Sequence, residues 1–347
     1  MSQRKANVKS DHVKLDEILK SLFSTSEKIL ANFLNHMFGE NFVHDSVEIT
    51  SDTTDFPLEY FKFDMLKADL CLTASDSQNN KVKYHIEFQT LNDSMMAIRM
   101  FEYGFYKAKQ VATNNKNTKI LYFPKQLVIF VEEDNNIEDE LKMKIIFPDC
   151  TEVDYTVSVM KYWEYTDRDL IQKKLYILLP LQIFKFRKEL ERVSKTKSKD
   201  KINHLDTILD KAKEMAFSIM NYSKELYDSN EIYDSDFEKI LLAVENLIKY
   251  INDRYVNNKK VQEEVVNMIK TLYDPLVEKK GQLKLAKESI IAILTDKFSA
   301  ISDNIIKTIL SEDDVNTLKY WLVKVASLNS MTEVEEIMKN EKTNDNI

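Results

Sequence analysis

Two stretches of sequence decide the fold of the central part of the chain: Lys67-Ala-Asp-Leu-Cys-Leu-Thr73 and Lys83-Tyr-His-Ile-Glu-Phe-Gln-Thr90. In each stretch apolar and polar residues alternate strictly, which is the pattern of a strand buried on one face. The polar segment 74–80 between them has the composition of a loop, so the two strands are expected to pair. Asp69 and Glu87 then fall on the same face, and the pleat brings two carboxylates together.

The segments around this strand pair predict an α/β sandwich with a mixed sheet. Ser24 and Glu27 have the spacing of a capping box that opens a helix, and Gly39 is suited to close it. The other predicted elements are helices at about 13–23 and 94–112 and strands at 46–50, 57–64, 126–131 and 153–159. The strand at 126–131 is a continuous apolar run, which is typical of a strand covered on both faces.

The second half of the chain has a helical pattern. A polar, lysine-rich segment begins near residue 194, and from 203 onward apolar residues recur with a period of 3.6. We therefore predict a disordered tail at 1–12, an α/β domain at 13–193, a linker at 194–202 and an α-helical domain at 203–347.

Composition limits the class of protein. The 347 residues are 44% hydrophobic and 31% charged, which fits a soluble globular protein with more charge than the norm of about 25%. Only three glycines and five prolines are present, which favours a mostly helical chain with one modest sheet. There is no apolar run of membrane-spanning length and no apolar signal segment, so we expect a cytoplasmic location and no membrane partner. Cys71 and Cys150 cannot form a disulfide framework.

The charge is unevenly distributed. The net charge of −8 argues against a generally basic coat for nucleic acid. Residues 1–200 hold 29 Lys and Arg against 31 Asp and Glu, whereas residues 201–347 hold 20 against 26. A polyanionic partner is therefore expected to meet the first half, at a local patch.

The predicted strand pair offers a set of groups suited to a hard metal ion. Asp69 and Glu87, with a third acid from a nearby helix and a backbone carbonyl, would suit Mg²⁺ or Mn²⁺. Such an ion can polarise a phosphodiester and lower the pKa of water. Gln89 projects toward the same site and can position water or phosphate, and His85 on that face can supply a proton or contact phosphate. Taken alone, however, two acids on a strand pair are more often structural than catalytic.

The residues around the pair resemble the PD-(D/E)xK nuclease superfamily, and more closely the Rpn-type recombination-promoting nucleases, a group also described as transposases. The residues that carry the resemblance are Ala68-Asp-Leu70, His85-Ile-Glu-Phe-Gln-Thr90, Asp93, Met96, Arg99-Met100 and Tyr103. The opening segment Asp16-Glu-Ile-Leu-Lys20-Ser-Leu-Phe23 is similar to the first helix of that group, with Leu19 where phenylalanine is usual. Residues 290–330 are similar to a helical domain of unknown function that often follows these nucleases.

The resemblance implies a restriction-endonuclease-like mixed-sheet core in the order αβββαβ, followed by an all-helical domain. It implies that Asp69 and Glu87 are metal ligands and that Gln89 stands where the motif has lysine. Asp16 is the best match for an additional catalytic acid, with Glu17 as the alternative.

Further residues are implied as DNA- or phosphate-binding or supporting groups. Arg99 and Tyr103 lie one helical turn apart and share a face, where they would bind phosphate or brace the acids. Packing is the alternative for Tyr103, and an ion pair is the alternative for Arg99. Lys20 and Lys67 are candidates for phosphate contacts, with a solvated surface position as their alternative. The residues before Asp69 are 65–67 (Met-Leu-Lys), where the group often has arginine.

The sequence therefore leads to a first hypothesis, an Mg²⁺-dependent DNA endonuclease that hydrolyses phosphodiester bonds directly and is linked to recombination or to a mobile element. Its helical domain would serve partner contact, homo-oligomer formation or target choice. The second hypothesis is a catalytically inactive nuclease fold used as a scaffold or binding module. A purely helical interaction protein is disfavoured, because the central strands would have no role in it.

Overall fold

The computed structural model describes residues 17–52, 55–57, 65–67, 69–298, 301–328 and 330–340. They fall into two compact units, one within Met1–Ile269 and the other within Lys270–Ile347. The predicted tail at 1–12 and most of the predicted strand at 57–64 lie outside the described residues.

The first unit is built on a mixed six-stranded sheet in the order β1-β4-β5-β8-β10-β9. Its strands are β1 Val47–Ser51, β4 Leu70–Asp76, β5 Lys81–Gln89, β8 Lys125–Phe130, β9 Glu140–Ile146 and β10 Glu152–Lys161. The pairs β5–β8 and β8–β10 are parallel, and the other three pairs are antiparallel. Two small ribbons accompany the sheet, formed by β2 Asp55–Pro57 with β3 Met65–Lys67 and by β6 Thr113–Asn115 with β7 Thr118–Ile120.

The predicted α/β class with a mixed sheet and a helical C-terminal region is confirmed. The alternation in the two central stretches sets the register, because Leu70 pairs with Ile86 and Cys71 pairs with His85. Strand β4 runs on to Asp76, so part of the predicted loop 74–80 is strand. Strand β9 and the hairpin β6–β7 were not predicted.

Two helices cover the sheet. Helix α1, Glu27–Phe38, covers the apolar face, where the rings of Phe38 and Tyr84 lie 4.9 Å apart. Helix α2, Met96–Gln110, covers the other face, where Met96 and Met100 are buried against Val128.

The ends of α1 show one wrong detail in the predicted cap. The N-cap is Ser26, whose side chain accepts the N–H of Ile29, because the helix begins at Glu27 rather than at 25. Glu27 Oε1 instead accepts the N–H of Ile49 in β1 over 3.3 Å. Gly39 ends the helix as predicted, with a φ of 66° that favours glycine.

Helices complete the first unit. Helices α3 Asp167–Gln172, α4 Arg187–Ser194, α5 Lys201–Asp228 and α6 Asp234–Tyr255 follow the sheet, with a 3₁₀ segment Tyr176–Phe186 between α3 and α4. That segment is buried over almost its whole length, and α5 and α6 pack on it. The sequence placed a domain boundary at 194–202, where composition becomes polar. In the structure α5 and α6 belong to the same unit as the sheet, since their apolar faces pack on the 3₁₀ segment.

The second unit is helical. Its elements are the later part of α7 Lys259–Phe298, then α8 Asp303–Ser311, α9 Val315–Val325 and α10 Met331–Asn340. Trp321 is buried at its centre with Ile290, Leu294, Ile309 and Leu318 around it.

Candidate functional site

Asp69 and Glu87 meet at one end of the sheet. Asp69 lies in the bend before β4, and Glu87 lies near the end of β5. The backbone N–H of Asp69 donates to Glu87 Oε1 over 2.9 Å, and the N–H of Phe88 donates to Asp69 Oδ2 over 2.9 Å. The two carboxyl groups are also hydrogen-bonded to each other. The structure thus brings the two predicted acids together, and their role as metal ligands stays a prediction.

Glu87 is a carboxyl group removed from water. It is 1% exposed, and this burial raises its pKa to about 7. The Asp69 backbone N–H and the Arg99 guanidinium oppose the rise, and Lys20 adds a weaker attraction. A pKa near neutrality means that the protonated and the ionised forms of this carboxyl group are both populated near pH 7.

The tautomer of His85 follows from a chain of hydrogen bonds that starts at a backbone carbonyl. Gln126 Nε2 donates to the carbonyl oxygen of Met100 over 2.6 Å, and the Tyr155 hydroxyl donates to Gln126 Oε1. These partners fix the orientation of the amide, so its second N–H points at His85 Nδ1, 3.0 Å away. Nδ1 is therefore an acceptor and Nε2 carries the proton, which it donates to Glu87 Oε1 over 2.8 Å.

The two carboxylate oxygens of Glu87 consequently have different surroundings. Oε1 accepts two N–H groups, from Asp69 and His85, whereas Oε2 lies 3.9 Å from Arg99 Nη2. Burial lowers the pKa of His85 to about 3, so this imidazole is neutral at physiological pH. A neutral donor therefore holds Oε1, and Oε2 is the oxygen nearer to the Arg99 guanidinium.

Arg99 and Tyr103 lie above the two acids on α2. Arg99 Nη1 forms its shortest ion pair with Asp93, at 3.1 Å from Oδ2, and its side chain is 35% exposed. Tyr103 is buried, hydrogen-bonds Arg99, and stacks edge-on against His85 with ring centroids 5.1 Å apart. Arg99 therefore interacts with both Asp93 and Glu87 and keeps part of its side chain in solvent, while Tyr103 packs against the imidazole.

The remaining predicted residues differ in what the structure describes. Lys20 is half-buried and lies close enough to Glu87 to attract its charge, and Gln89 is half-buried at the end of β5. Asp16 and the side chain of Lys67 lie outside the described residues. Glu17, the alternative to Asp16, is exposed and lines a cavity with residues of α6.

A buried polar cluster beside the site was missed by the sequence analysis. Lys107 of α2 is 2% exposed, with Nζ 3.5 Å from Asp52 Oδ2, and Thr73 donates to the same oxygen over 3.0 Å. Burial raises the pKa of the neighbouring Cys71 to about 12, against the attraction of Lys107, so this thiol stays protonated and is no nucleophile. The cluster completes the polar face of the sheet next to His85, which pairs with Cys71 in register.

Gln126 is the other missed residue. It is the second residue of β8, directly before four apolar residues, so a polar residue at the start of this apolar run is the available signal. Its partnership with His85 depends on the parallel pairing of β5 and β8, which places the two residues in register. Local periodicity does not reveal which strands pair.

The donor set suits Mg²⁺ more than a softer ion. Among the described residues no group of three His, Cys, Asp or Glu side chains converges as metal ligands. Mg²⁺ commonly uses only one or two protein carboxylates, together with waters and substrate phosphates. Asp69 and Glu87, hydrogen-bonded to each other with Glu87 readily protonated, provide such a pair.

Comparisons of the chain with protein-family models, with curated proteins and with solved structures returned no match. No helix in the described part of the chain carries an apolar stretch long enough to cross a membrane.

Proposed function

We propose that this chain is an Mg²⁺-dependent DNA endonuclease of the PD-(D/E)xK type, with Mn²⁺ as an alternative ion and a role in recombination or in a mobile element. One observation carries the proposal: Asp69 and Glu87 share a hydrogen bond, and burial raises the pKa of Glu87 to about 7. A buried carboxyl group held this close to a second, half-buried one is costly to a fold unless a cation or a proton is shared between them. The resemblance of 66–106 to Rpn-type nucleases supports the same reading.

Each residue of the site has a role in this proposal. Asp69 and Glu87 would hold the ion, and His85 fixes the orientation of the Glu87 carboxylate through its hydrogen bond to Oε1. Gln89 aligns the attacking water through its amide. Arg99 is partly exposed, so its guanidinium can leave the ion pair with Asp93 and bind a phosphate oxygen instead. When bound, Mg²⁺ supplies charge that polarises a phosphodiester and lowers the pKa of water.

Lys20 can supply the positive charge that the motif lacks at Gln89. Gln89 brings no positive charge to the position that usually holds lysine, whereas Lys20 comes from the helical segment 17–22 and attracts Glu87. We assign to Lys20 the stabilisation of charge that develops on the phosphate.

A catalytically inactive scaffold is the second candidate, favoured by Gln89 itself. An amide at this position can bind phosphate by hydrogen bonds without stabilising the transition state. In that case the site would bind DNA and the ion without cleaving the strand.

A plasmid-nicking assay tests the proposal. Wild-type protein is incubated with supercoiled plasmid and Mg²⁺, beside Asp69→Asn and Glu87→Gln. Either substitution should lower the nicking rate by more than about a hundredfold, because the lost ligand is charged and each tenfold corresponds to about 1.4 kcal/mol. Glu102→Gln, an exposed acid of α2, serves as the matched control and should cleave like wild type.

The nicking assay and a measurement of Mn²⁺ binding together distinguish the nuclease from the inactive scaffold. Equal nicking by wild type, Asp69→Asn and Glu87→Gln would overturn the nuclease assignment. No nicking by wild type, together with Mn²⁺ binding that Glu87→Gln abolishes, would identify the inactive scaffold.

A further inference from the structure

The described surface of α2 has oppositely charged surroundings at its two ends. Near its first turn, an open cleft of about 910 Å³ is lined by four acids, Asp93, Glu138, Asp139 and Glu140, and by Lys142, which pairs with Glu140. Toward its other end, residues 103–131 contain no Asp or Glu and five lysines, in a chain with a net charge of −8. The second region therefore attracts a polyanion more strongly than the cleft does.

The hairpin within the acid-free segment presents its polar groups to solvent. Residues 113–119 are all exposed and include Lys116 and Lys119 with three asparagines. In the hairpin β6–β7, Asn114 pairs with Lys119, so amide and ammonium groups stand side by side. Of the other three lysines, Lys107 is buried beside Asp52, Lys125 pairs with Glu40 and Lys109 is exposed near the end of α2. The exposed positive charge of the segment therefore lies at the hairpin and at the end of the helix that precedes it.

Aromatic side chains lie beside this hairpin. Tyr122 is 57% exposed, and Phe105 on α2 is 42% exposed. Phe123 lies against α2, since a Cβ on Gly104 would come within 2.8 Å of its ring, and its ring lies 5.4 Å from that of Phe101. The glycine thus lets the segment after the hairpin pack directly on α2 through Phe123, and the exposed Tyr122 is the residue just before it.

Lysine and asparagine side chains interleaved with exposed aromatic rings suit one partner best. Lys and Asn contact a phosphate backbone, and aromatic rings stack on bases that have no Watson–Crick partner. A double helix hides the faces of its bases, so the exposed ring of Tyr122 would contribute little to binding it. An acidic protein surface would use the lysines but has less need of the rings.

We infer that the hairpin β6–β7 with Tyr122 and Phe105, here called the basic aromatic surface, binds single-stranded DNA beside the Asp69–Glu87 site. The inference deepens the proposed function and rests on it for the identity of the nucleic acid. From Arg99 to Lys109, α2 spans about 15 Å at 1.5 Å per residue, a distance that a few nucleotides cover. The surface would hold an unpaired flank of the strand while the acids act on a neighbouring phosphodiester.

Binding is measured by fluorescence anisotropy with the full chain in EDTA, which removes cleavage from the measurement. The probes are a labelled 20-nucleotide single strand and the corresponding duplex. Wild type should bind the single strand more tightly than the duplex. Tyr122→Ala should weaken single-strand binding about tenfold, the loss expected from one stacked base. Lys116→Gln with Lys119→Gln should make the slope of log Kd against log salt shallower by about 1.4.

Lys211→Gln with Lys307→Gln is the charge-matched control, since both lysines are exposed and lie far from residues 103–131 in sequence. This control should bind like wild type. Equal affinity of wild type and Tyr122→Ala for the single strand would overturn the inference, as would tighter binding of the duplex. A change in sedimentation of Tyr122→Ala with unchanged DNA binding would also overturn it, because the surface would then serve protein association.

The binding experiment and the nicking assay can refute the two proposals separately. Single-strand binding that depends on Tyr122, in a protein that does not nick plasmid, would support the surface and overturn the nuclease. Nicking that depends on Glu87, with binding indifferent to Tyr122, would do the reverse.

Discussion

The two faces of the central strands differ in chemistry although alternating residues of the same strands form them. Under α1, Leu72, Ile86 and Leu127 are buried and entirely apolar. Under α2, His85 and Glu87 are equally buried but carry ionisable groups. Burying apolar surface stabilises a fold, whereas burying a carboxyl or an imidazole costs free energy unless its hydrogen bonds are made.

Stability therefore comes mainly from one face of the sheet, and the ionisable groups lie on the other. The apolar face sets the register and supplies the favourable free energy. The polar face is satisfied by hydrogen bonds, yet it keeps a carboxyl group with a pKa near 7. A group that destabilises the fold at neutral pH and is held by a dedicated set of donors is the expected mark of a functional site.

The largest expected effect breaks the apolar face. Ile86 is fully buried between Leu70 and Leu127 in register, so Ile86→Ala removes packed methyl groups and leaves a cavity. The free energy of unfolding should fall by about 3 kcal/mol. Urea denaturation followed by circular dichroism measures it, with the exposed Ile98→Ala on α2 as control. A loss below about 1 kcal/mol would show that this face does not hold the fold.

An effect of similar size and opposite sign is expected on the polar face. The folded pKa of Glu87 is raised to about 7 from its ordinary 4.5, so the folded state binds more protons between these values. Its destabilisation is absent below about pH 4.5, grows as pH rises and is complete above about pH 7. Glu87→Gln should therefore stabilise the metal-free protein by about 3 kcal/mol at pH 8 and have almost no effect at pH 4.5.

Wild type and Glu87→Gln must be compared at each pH, because the effect of His85 on stability changes with pH in the opposite direction to that of Glu87. The pKa of His85 is lowered, so its contribution to stability is present above about pH 6.5 and is lost as pH falls. Thermal unfolding of both proteins across pH isolates the Glu87 part as their difference. A difference independent of pH would contradict the raised pKa. Added Mg²⁺ should stabilise wild type at pH 8 and leave Glu87→Gln unchanged.

The next effect concerns the polar face alone and tests whether Gln126 acts on Glu87 through His85. Gln126→Glu replaces the donor to His85 Nδ1 by an acceptor, which moves the imidazole proton from Nε2 to Nδ1 and removes the N–H that holds Glu87 Oε1. Affinity for Mn²⁺, measured by titration calorimetry, should fall about 10- to 100-fold. Nitrogen NMR of His85 should report the change of tautomer. Gln126→Met, which removes the donor without supplying an acceptor, should lie between. Unchanged Mn²⁺ affinity in both variants would show that the pair is structural.

The sequence predicted the apolar face well and the polar face only in part. Alternation in the two central stretches sufficed for the pairing of β4 with β5, because a slip by one residue would expose every apolar side chain. Strand β9 also alternates, at Leu141, Met143 and Ile145, and was overlooked. Partners such as Gln126 and Asp52 could not be predicted, since they depend on which distant strands and loops meet.

The smallest expected effect concerns the charge that Gln89 does not supply. Lys20→Gln removes an ammonium group that attracts Glu87, so plasmid nicking should slow about three- to tenfold. Lys211→Gln, an exposed lysine of α5, is the control and should cleave like wild type. If Lys20 replaces the motif lysine, then Gln89→Lys should recover activity in the Lys20→Gln protein more than in wild type. Equal gains in both backgrounds would mean that the two positions act independently, and the positive charge of the site would then have to come from Arg99.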